Sequence, residues 1–442
     1  MNLTDLRNMA LVEKTVSLIS AKKKSILGSV IIIVGGTALS QILVVISSPI
    51  LTRLYDPASF GIFTLYLSIT QILLAVISWR YELAISLPKD DMDGAHILLF
   101  AIILVVFNAL LLGIFIYLWG DNFLTRFNLV GLKPYLWVLP LALLGAGFYQ
   151  ALGYWAIRRK AYPTIAHTTF SKSVATVVVQ IATGLLGWRP LGLLFGDFVG
   201  RFVGSGRLGK LAVKDNKDRI GKATFLETYQ QAYRYRNFAL LSTPATLIDR
   251  LALYLPAVIL AYLFTPQVVG WFGLGQQVIG VPITFIGQAV SQVYLGEASV
   301  FLRESPEKLK KLYAKFSRGL FLFGLIPISV LAIFGSSLAT WFFGSKWASA
   351  GMYIQILAPM YLIQIAISPL SQTLNILERQ SWQFAWEVGQ LLLELVCMYY
   401  AWHLSWGPTG VIIAFSLASF ITYAILYLVT LSALSHVQAH EQ

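Results

Sequence analysis

Between residues 26 and 434 the sequence is a succession of apolar stretches 17 to 29 residues long, separated by short polar turns. They fall at 26–51, 58–78, 95–119, 136–157, 163–187 and 190–206, and again at 239–263, 267–295, 319–343, 351–377, 382–403 and 408–434. A helix that crosses a bilayer needs about 20 apolar residues, because hydrocarbon offers a bare backbone no partner and a helix satisfies its own. The pattern therefore predicts an all-α integral membrane protein with twelve transmembrane helices. The charge content agrees: 12% of the residues are Asp, Glu, Lys or Arg, where a soluble domain carries about a quarter.

Cytoplasmic loops of membrane proteins are enriched in Lys and Arg, which gives the count and the orientation an independent check. With the N-terminus inside, the cytoplasmic segments hold 26 basic residues, in clusters such as Lys22 to Lys24, Arg158 to Lys160, Arg201 to Arg236 and Arg303 to Arg318. The outer segments hold five, namely Arg53, Arg126, Lys133, Arg189 and Lys346. The asymmetry accounts for the net charge of +13 without invoking nucleic acid. The first apolar run continues to Leu51 instead of stopping at a small-residue cleavage site, so an uncleaved first helix is expected. One cysteine, Cys397, and five scattered histidines leave no disulfide framework and no metal-ligand spacing, and no cofactor is expected.

"LYDPASFGIFTL", from Leu54 to Leu65, returns as "LFTPQVVGWFGL" from Leu263 to Leu274, with the leucines, the proline, the glycine and the phenylalanine in register. Each copy sits at the outer turn after an odd-numbered helix. An offset of six helices preserves orientation, so the halves read as parallel repeats related by an axis along the membrane normal, as in alternating-access transporters. The expected organisation is a cytoplasmic segment 1–25, an N-lobe 26–206, a basic linker 207–238, a C-lobe 239–434 and a cytoplasmic tail 435–442. The end of the linker, "FLETYQQAYRYRNF", is basic and aromatic enough to lie along the inner membrane surface, a solvated linker being the alternative.

The stretches "GGTALSQILVVISSPILTRLYDPASFGIFTLY", "WRYELAISLPKDDMDGA", "YWAIRRKAYPTIA" and "YRNFALLSTPATLIDRLALYLPAVIL" resemble bacterial polysaccharide (O-antigen or exopolysaccharide, Wzx-type) flippases of the multidrug/oligosaccharidyl-lipid/polysaccharide (MOP) exporter superfamily. The resemblance covers the chain in helix plan, with diffuse motifs. It implies two six-helix lobes around a central cavity, in the bacterial inner membrane. It also implies movement of an undecaprenyl-pyrophosphate-linked oligosaccharide from the inner to the outer leaflet. Membrane lipids, a glycan polymerase and a chain-length regulator are the implied partners; proton or sodium coupling is a separate expectation, raised by the carboxylates Glu387 and Glu394 in an apolar helix.

An ionisable group at bilayer depth is costly and normally faces a cavity or a partner. Lys172, Asp197, Asp249 and Arg250 fall near the middle of their helices, and Glu387 and Glu394 lie seven apart on one face of helix 11. Arginine suits a phosphate through its planar fork and permanent charge. Arg250, Lys172, Arg53, Arg80 and Arg201 are the candidates for a cationic substrate path. Asp249, Asp197, Glu387 and Glu394 are the candidates for ion or proton coupling. Competing assignments stand beside these. Asp197 and Arg201, four apart, neutralise each other in one; Glu387 and Glu394 serve helix-to-helix hydrogen bonding in another. At the level of function the alternatives are a multidrug exporter of the same superfamily and a polytopic glycan polymerase. The polymerase would carry a large outer catalytic loop, whereas the longest outer loop expected here runs from Gly120 to Tyr135.

Overall fold

The computed structural model describes residues 35–220 and 224–440. The expected N-terminal segment, with Lys22 to Lys24 and the start of the first helix, lies outside the described residues. Helices make up the fold, with no strand among the described residues. The first half holds α1 (Gly35–Leu54), α2 (Pro57–Leu74), α3 (Asp91–Arg126), α4 (Val138–Arg158), α5 (Tyr162–Leu185) and α6 (Leu191–Ile220). A short helix, α7 (Phe225–Arg234), leads through a π-helical turn (Phe238–Ser242) into α8 (Thr243–Leu263). There follow α9 (Pro266–Glu304), α10 (Pro306–Phe343), α11 (Ala348–Ile367), the one-turn α12 (Gln372–Ile376), α13 (Gln380–His403) and α14 (Gly407–His440).

Twelve of these helices reach 18 residues among the described residues, one for each apolar stretch. Among the described residues nine spans are long and apolar enough to cross a membrane. Helices α5, α6 and α13 fall short of that standard because they carry the polar load: Lys172 and Gln180, Asp197 and Arg201, Glu387 and Glu394.

Several boundaries differ from the hydropathy reading, for one physical reason. Hydropathy reports where a helix leaves hydrocarbon, whereas its backbone hydrogen bonds continue into water. Thus α6 runs on to Ile220 rather than stopping at 206, and α9 and α10 run to Glu304 and from Pro306, with Ser305 alone between them. The second apolar stretch errs the other way. Its helix ends at Leu74 rather than 78, where the chain tightens into hydrogen bonds from Ala75 to Ile72 and from Val76 to Leu73, and Trp79 and Arg80 then turn into the left-handed region (φ 49° and 59°) ahead of a 3-10 turn, Tyr81–Ser86.

The repeated sequence punctuation is a pair of helix starts. Pro57 and Pro266 occupy the first turn, where the missing N–H costs nothing, and Asp56 accepts a hydrogen bond from the Ser59 amide at 2.7 Å. The two copies also pack on each other, α2 against α9. A Cβ on Gly61 would lie 2.6 Å from the Pro266 carbonyl carbon and nearer still to its oxygen. A Cβ on Gly270 would lie 2.9 Å from the Pro57 carbonyl carbon. Each glycine is thus the seat for the other copy's proline carbonyl, an exchange that a two-fold relation between the halves requires.

The halves meet along α2, which packs on α8 and α9. At the end bearing Pro57 and Pro266 the seam is sealed by further contacts. The Trp347 indole donates to the Thr52 carbonyl at 3.0 Å and stands edge-on to Phe60, and Asn128 donates to the Tyr262 carbonyl at 3.3 Å. One large apolar cluster, from Leu51 and Tyr55 through Phe272 to Phe415, runs across both halves.

Candidate functional site

Beneath this seal a cavity of about 570 Å³ opens between the halves. Its wall is drawn from α1, α2, α5, α6, α8, α9 and α11. The lining positions on α1 (Thr37, Gln41, Val44, Ser47, Leu51) recur at three- and four-residue spacing, the mark of one helix face. Eight glutamine and serine side chains give the wall its character: Gln41, Gln71, Gln180, Gln276, Gln277 and Gln288, with Ser47 and Ser68. Amides offer both donors and acceptors without a charge. Phe60, Phe63 and Phe285 supply ring faces, and Asp197 is the one charged residue of the lining.

A second cavity, about 340 Å³, lies in the first half between α2, α4, α5 and α6. Gln71 lines both. Here stand Lys172 and Arg201, with Tyr149, Gln150 and Tyr154. The Lys172 ammonium lies 5.1 Å from the Tyr149 ring centre, in cation–π range. Arg201 is tied to Asp197, Nε to Oδ2 at 2.6 Å, and the Tyr66 hydroxyl donates to the same oxygen at 2.9 Å. The pairing of Asp197 with Arg201 expected as the alternative reading is therefore the observed one. That pair stands between the two cavities, its carboxylate on one wall and its guanidinium on the other.

The structure brings together Lys172 and Arg201 but not the rest of the expected cationic path. Arg250 is off both walls and lies within electrostatic range of Tyr254, which itself lines the larger cavity. Arg53 is exposed at the end of α1. Arg80 forms a 3.0 Å ion pair with Glu82, a fully buried carboxylate that also accepts from Ser78 and Gln150. Arg80 lines neither cavity and is paired with its anionic neighbour two residues away, so these residues do not form a continuous row of free cations.

Of the acidic candidates, Asp249 lies within electrostatic range of Arg250 and Arg80, and Glu387 lies within range of Asp249 and accepts from Gln383 at 3.1 Å. Glu394 is 1% exposed in the second half. Its Oε1 accepts from Gln390 at 2.9 Å and from Ser419 at 2.7 Å, while Oε2 has no hydrogen-bond partner. Nearby, Gln364 donates to the Tyr423 hydroxyl at 2.9 Å and leaves its own carbonyl oxygen unpaired. The glutamines of the large cavity and buried Glu82 were missed in the sequence. Glutamines recurring inside apolar helices were the available signal.

The polysaccharide biosynthesis protein family matches residues 50–351. A teichuronic acid biosynthesis protein, TuaB of Bacillus subtilis (strain 168), is 24% identical over 172 residues, 37% of this chain and 34% of that one, so the chain aligns with about a third of this relative's length. Among solved structures, lipid II flippase MurJ in an inward closed conformation superposes with a TM-score of 0.75 at 12% identity, over 92% of this chain and 90% of that one. An inward-facing multidrug resistance MATE family transporter of the MOP superfamily gives 0.65 at 14%, over 90% and 96%. A MOP superfamily transporter from Pyrococcus furiosus gives 0.57 at 14%, over 92% and 95%. At such identities the likeness is one of fold. Helix plan, apolar spans and family match converge: the chain is a multi-pass membrane protein of the polysaccharide biosynthesis protein family, built on the fold of the MOP superfamily.

Proposed function

We propose that this protein is a lipid-linked oligosaccharide flippase, carrying an undecaprenyl-pyrophosphate-linked glycan repeat unit from the inner to the outer leaflet of the bacterial inner membrane. The observation that carries the reading is the junction at Gln71 of a neutral, amide-lined cavity with a smaller cationic one. Sugar hydroxyls and acetamido groups need donors and acceptors in equal measure, which glutamine, serine and threonine provide. A pyrophosphate needs fixed positive charge against the desolvation cost of leaving water, which Lys172 provides, with the Arg201 guanidinium, already paired with Asp197, beside it as a further donor. One substrate with a glycan and a pyrophosphate fits both spaces at once. An exporter of cationic drugs would be better served by a free carboxylate, whereas the Asp197 carboxylate is paired with Arg201.

The basic clusters assign both termini and the Arg80 end to the cytoplasm and the Pro57 end to the outside. All twelve long helices, α5, α6 and α13 included, then cross the bilayer. They form two six-helix lobes, 26–206 and 239–434, that rock about the α2–α9 seam. The sealed Pro57 end makes the present arrangement closed to the outside. Transport is coupled to protons or sodium through the second lobe, where Glu394 has an unpaired oxygen to offer.

The test is the sidedness of lipid-linked glycan in spheroplasts of cells depleted of the protein, probed with an added lectin. Glycan accumulating out of the lectin's reach supports flipping. Normal outer exposure of unpolymerised units points to a polymerase instead, and normal exposure with normal polymer points to an exporter of other small molecules.

A further inference from the structure

Helix α7 has three chemically distinct sides. At 100° per residue, Thr228, Ala232 and Tyr235 point one way, Glu227, Gln230 and Arg234 a second, and Phe225, Leu226, Tyr229 and Tyr233 a third, the directions lying about 120° apart. The first side is fastened to the protein. The Thr228 hydroxyl stands 3.0 Å from Nδ1 of the buried His96 on α3, the Tyr81 hydroxyl donates to the Ala232 carbonyl at 3.0 Å, and Ala232 packs in the apolar cluster around Trp155. The third side is exposed: Phe225 is 86% exposed, Leu226 64%, Tyr229 56% and Tyr233 57%.

What covers this side follows from its depth. On α3 the apolar run begins at Ile97, directly after His96, and continues to Trp119. Those residues span about 34 Å of helix, close to the roughly 30 Å of a hydrocarbon core. His96 therefore marks the edge of the bilayer, and a helix fastened to it lies at headgroup level. The downstream chain gives the same depth, because the apolar span continuing into α8 starts at Phe238, four residues beyond the end of α7. A helix at that level with one side on protein and one side polar presents its third side to lipid. The Arg236 guanidinium, 4.1 Å from the Tyr233 ring centre, places a cation on that side where lipid phosphates lie.

We propose that α7 is an interfacial helix that binds the bilayer surface, its aromatic side inserted at the acyl-chain boundary and Arg236 on the phosphates of anionic lipid. Fastened to α3 and the Tyr81 turn, it tethers the first half of the protein to one leaflet. This inference needs the chain to be a membrane protein and does not depend on what is transported.

The experiment uses the full chain with Cys397→Ser and a bimane label at Tyr229→Cys, in vesicles of phosphatidylcholine with or without about one third phosphatidylglycerol. Lipids brominated near the top of the acyl chain should quench the label strongly and aqueous iodide weakly, with the reverse for a label at Gln230→Cys on the polar side. Phosphatidylglycerol should raise the lipid quenching at position 229, and Arg236→Gln should abolish that increase. Equal quenching patterns at 229 and 230, or iodide reaching both freely, would overturn the placement. Lipid quenching indifferent to phosphatidylglycerol would overturn the anionic preference. Protection from both quenchers would mean that a protein covers this face and the proposal is wrong.

Discussion

Substituting Gly61 by alanine puts a methyl group where the structure has a carbonyl. The new Cβ would lie 2.6 Å from the Pro266 carbonyl carbon, against an ordinary carbon–carbon separation of about 3.5–4.0 Å. Both partners are helix backbone, so no side chain can swing aside; α2 and α9 must separate by at least about 1 Å. Overpacking of this kind costs about 1–3 kcal/mol, and it falls on the state in which the Pro57 end is sealed. A state in which that end is open escapes the cost. Gly61→Ala should therefore shift the balance towards the open state by about five- to 150-fold. Spin labels at Lys133→Cys and Lys346→Cys, both exposed and on opposite halves at this end, would report it in a Cys397→Ser background as a new, longer distance. Gly270→Ala should act alike, and the double variant should fall short of the sum, because one separation relieves both clashes. Gly319→Ala, at a helix position with nothing within 4 Å, is the control that should leave the distances unchanged. Unaltered distances and unaltered thermal stability in Gly61→Ala would refute the idea that the repeated glycines close this end.

Four further outcomes are expected. Arg201→Met should lower the thermal unfolding temperature, because it leaves the Asp197 carboxylate uncompensated at a cost of about 3–5 kcal/mol, and Asp197→Asn in the same chain should recover much of the loss; a single variant as stable as the parent would deny that this pair is structural. Lys172→Gln should weaken binding of a pyrophosphate lipid about ten- to hundredfold in a flotation or quenching assay while leaving folding intact, and undiminished binding would remove Lys172 from the substrate path. Glu394→Gln keeps an oxygen for Gln390 and Ser419, so the fold should hold while transport in proteoliposomes stops responding to an imposed ion gradient; an unchanged response would place coupling elsewhere. The Thr224 hydroxyl donates to Glu227 at 2.7 Å and is the largest influence holding its carboxyl below the usual value of 4.5, so this support for α7 is present above that pH and is lost as the pH falls through the depressed value; Thr224→Ala should reduce that pH dependence in the amide exchange of α7, and an unchanged dependence would remove the hydroxyl as its cause.

The fold was legible because the bilayer simplifies the problem. An apolar stretch of sufficient length has one structural solution, and each of the twelve stretches corresponds to a helix. What hydropathy left out is what happens beyond the hydrocarbon, where α6, α9 and α10 continue as helix into basic segments first taken for loops. The repeat was legible as punctuation, proline after a capping residue and glycine four residues later. That the two copies would interlock was not, since no local rule says which helix face meets which.

The site was legible in proportion to how far each residue depends on its own helix. Asp197 and Arg201, four apart on α6, pair as their spacing allows. The role of Arg250 depends on which way α8 is turned against α2 and α13: its neighbours Leu253 and Tyr254 line the larger cavity and Arg250 does not. Charge also drew attention away from the residues that make the wall. A buried charge announces itself because it is costly, whereas a glutamine within an apolar helix is cheap enough to be overlooked, yet six of them from four helices converge on one space. A carrier that must release what it binds is better served by many weak neutral contacts than by a few strong ionic ones, since each charged contact deepens the bound state and slows departure. Under the proposed function, the fixed charges would then belong where the structure has Lys172 and Arg201, in a side cavity apart from the neutral wall.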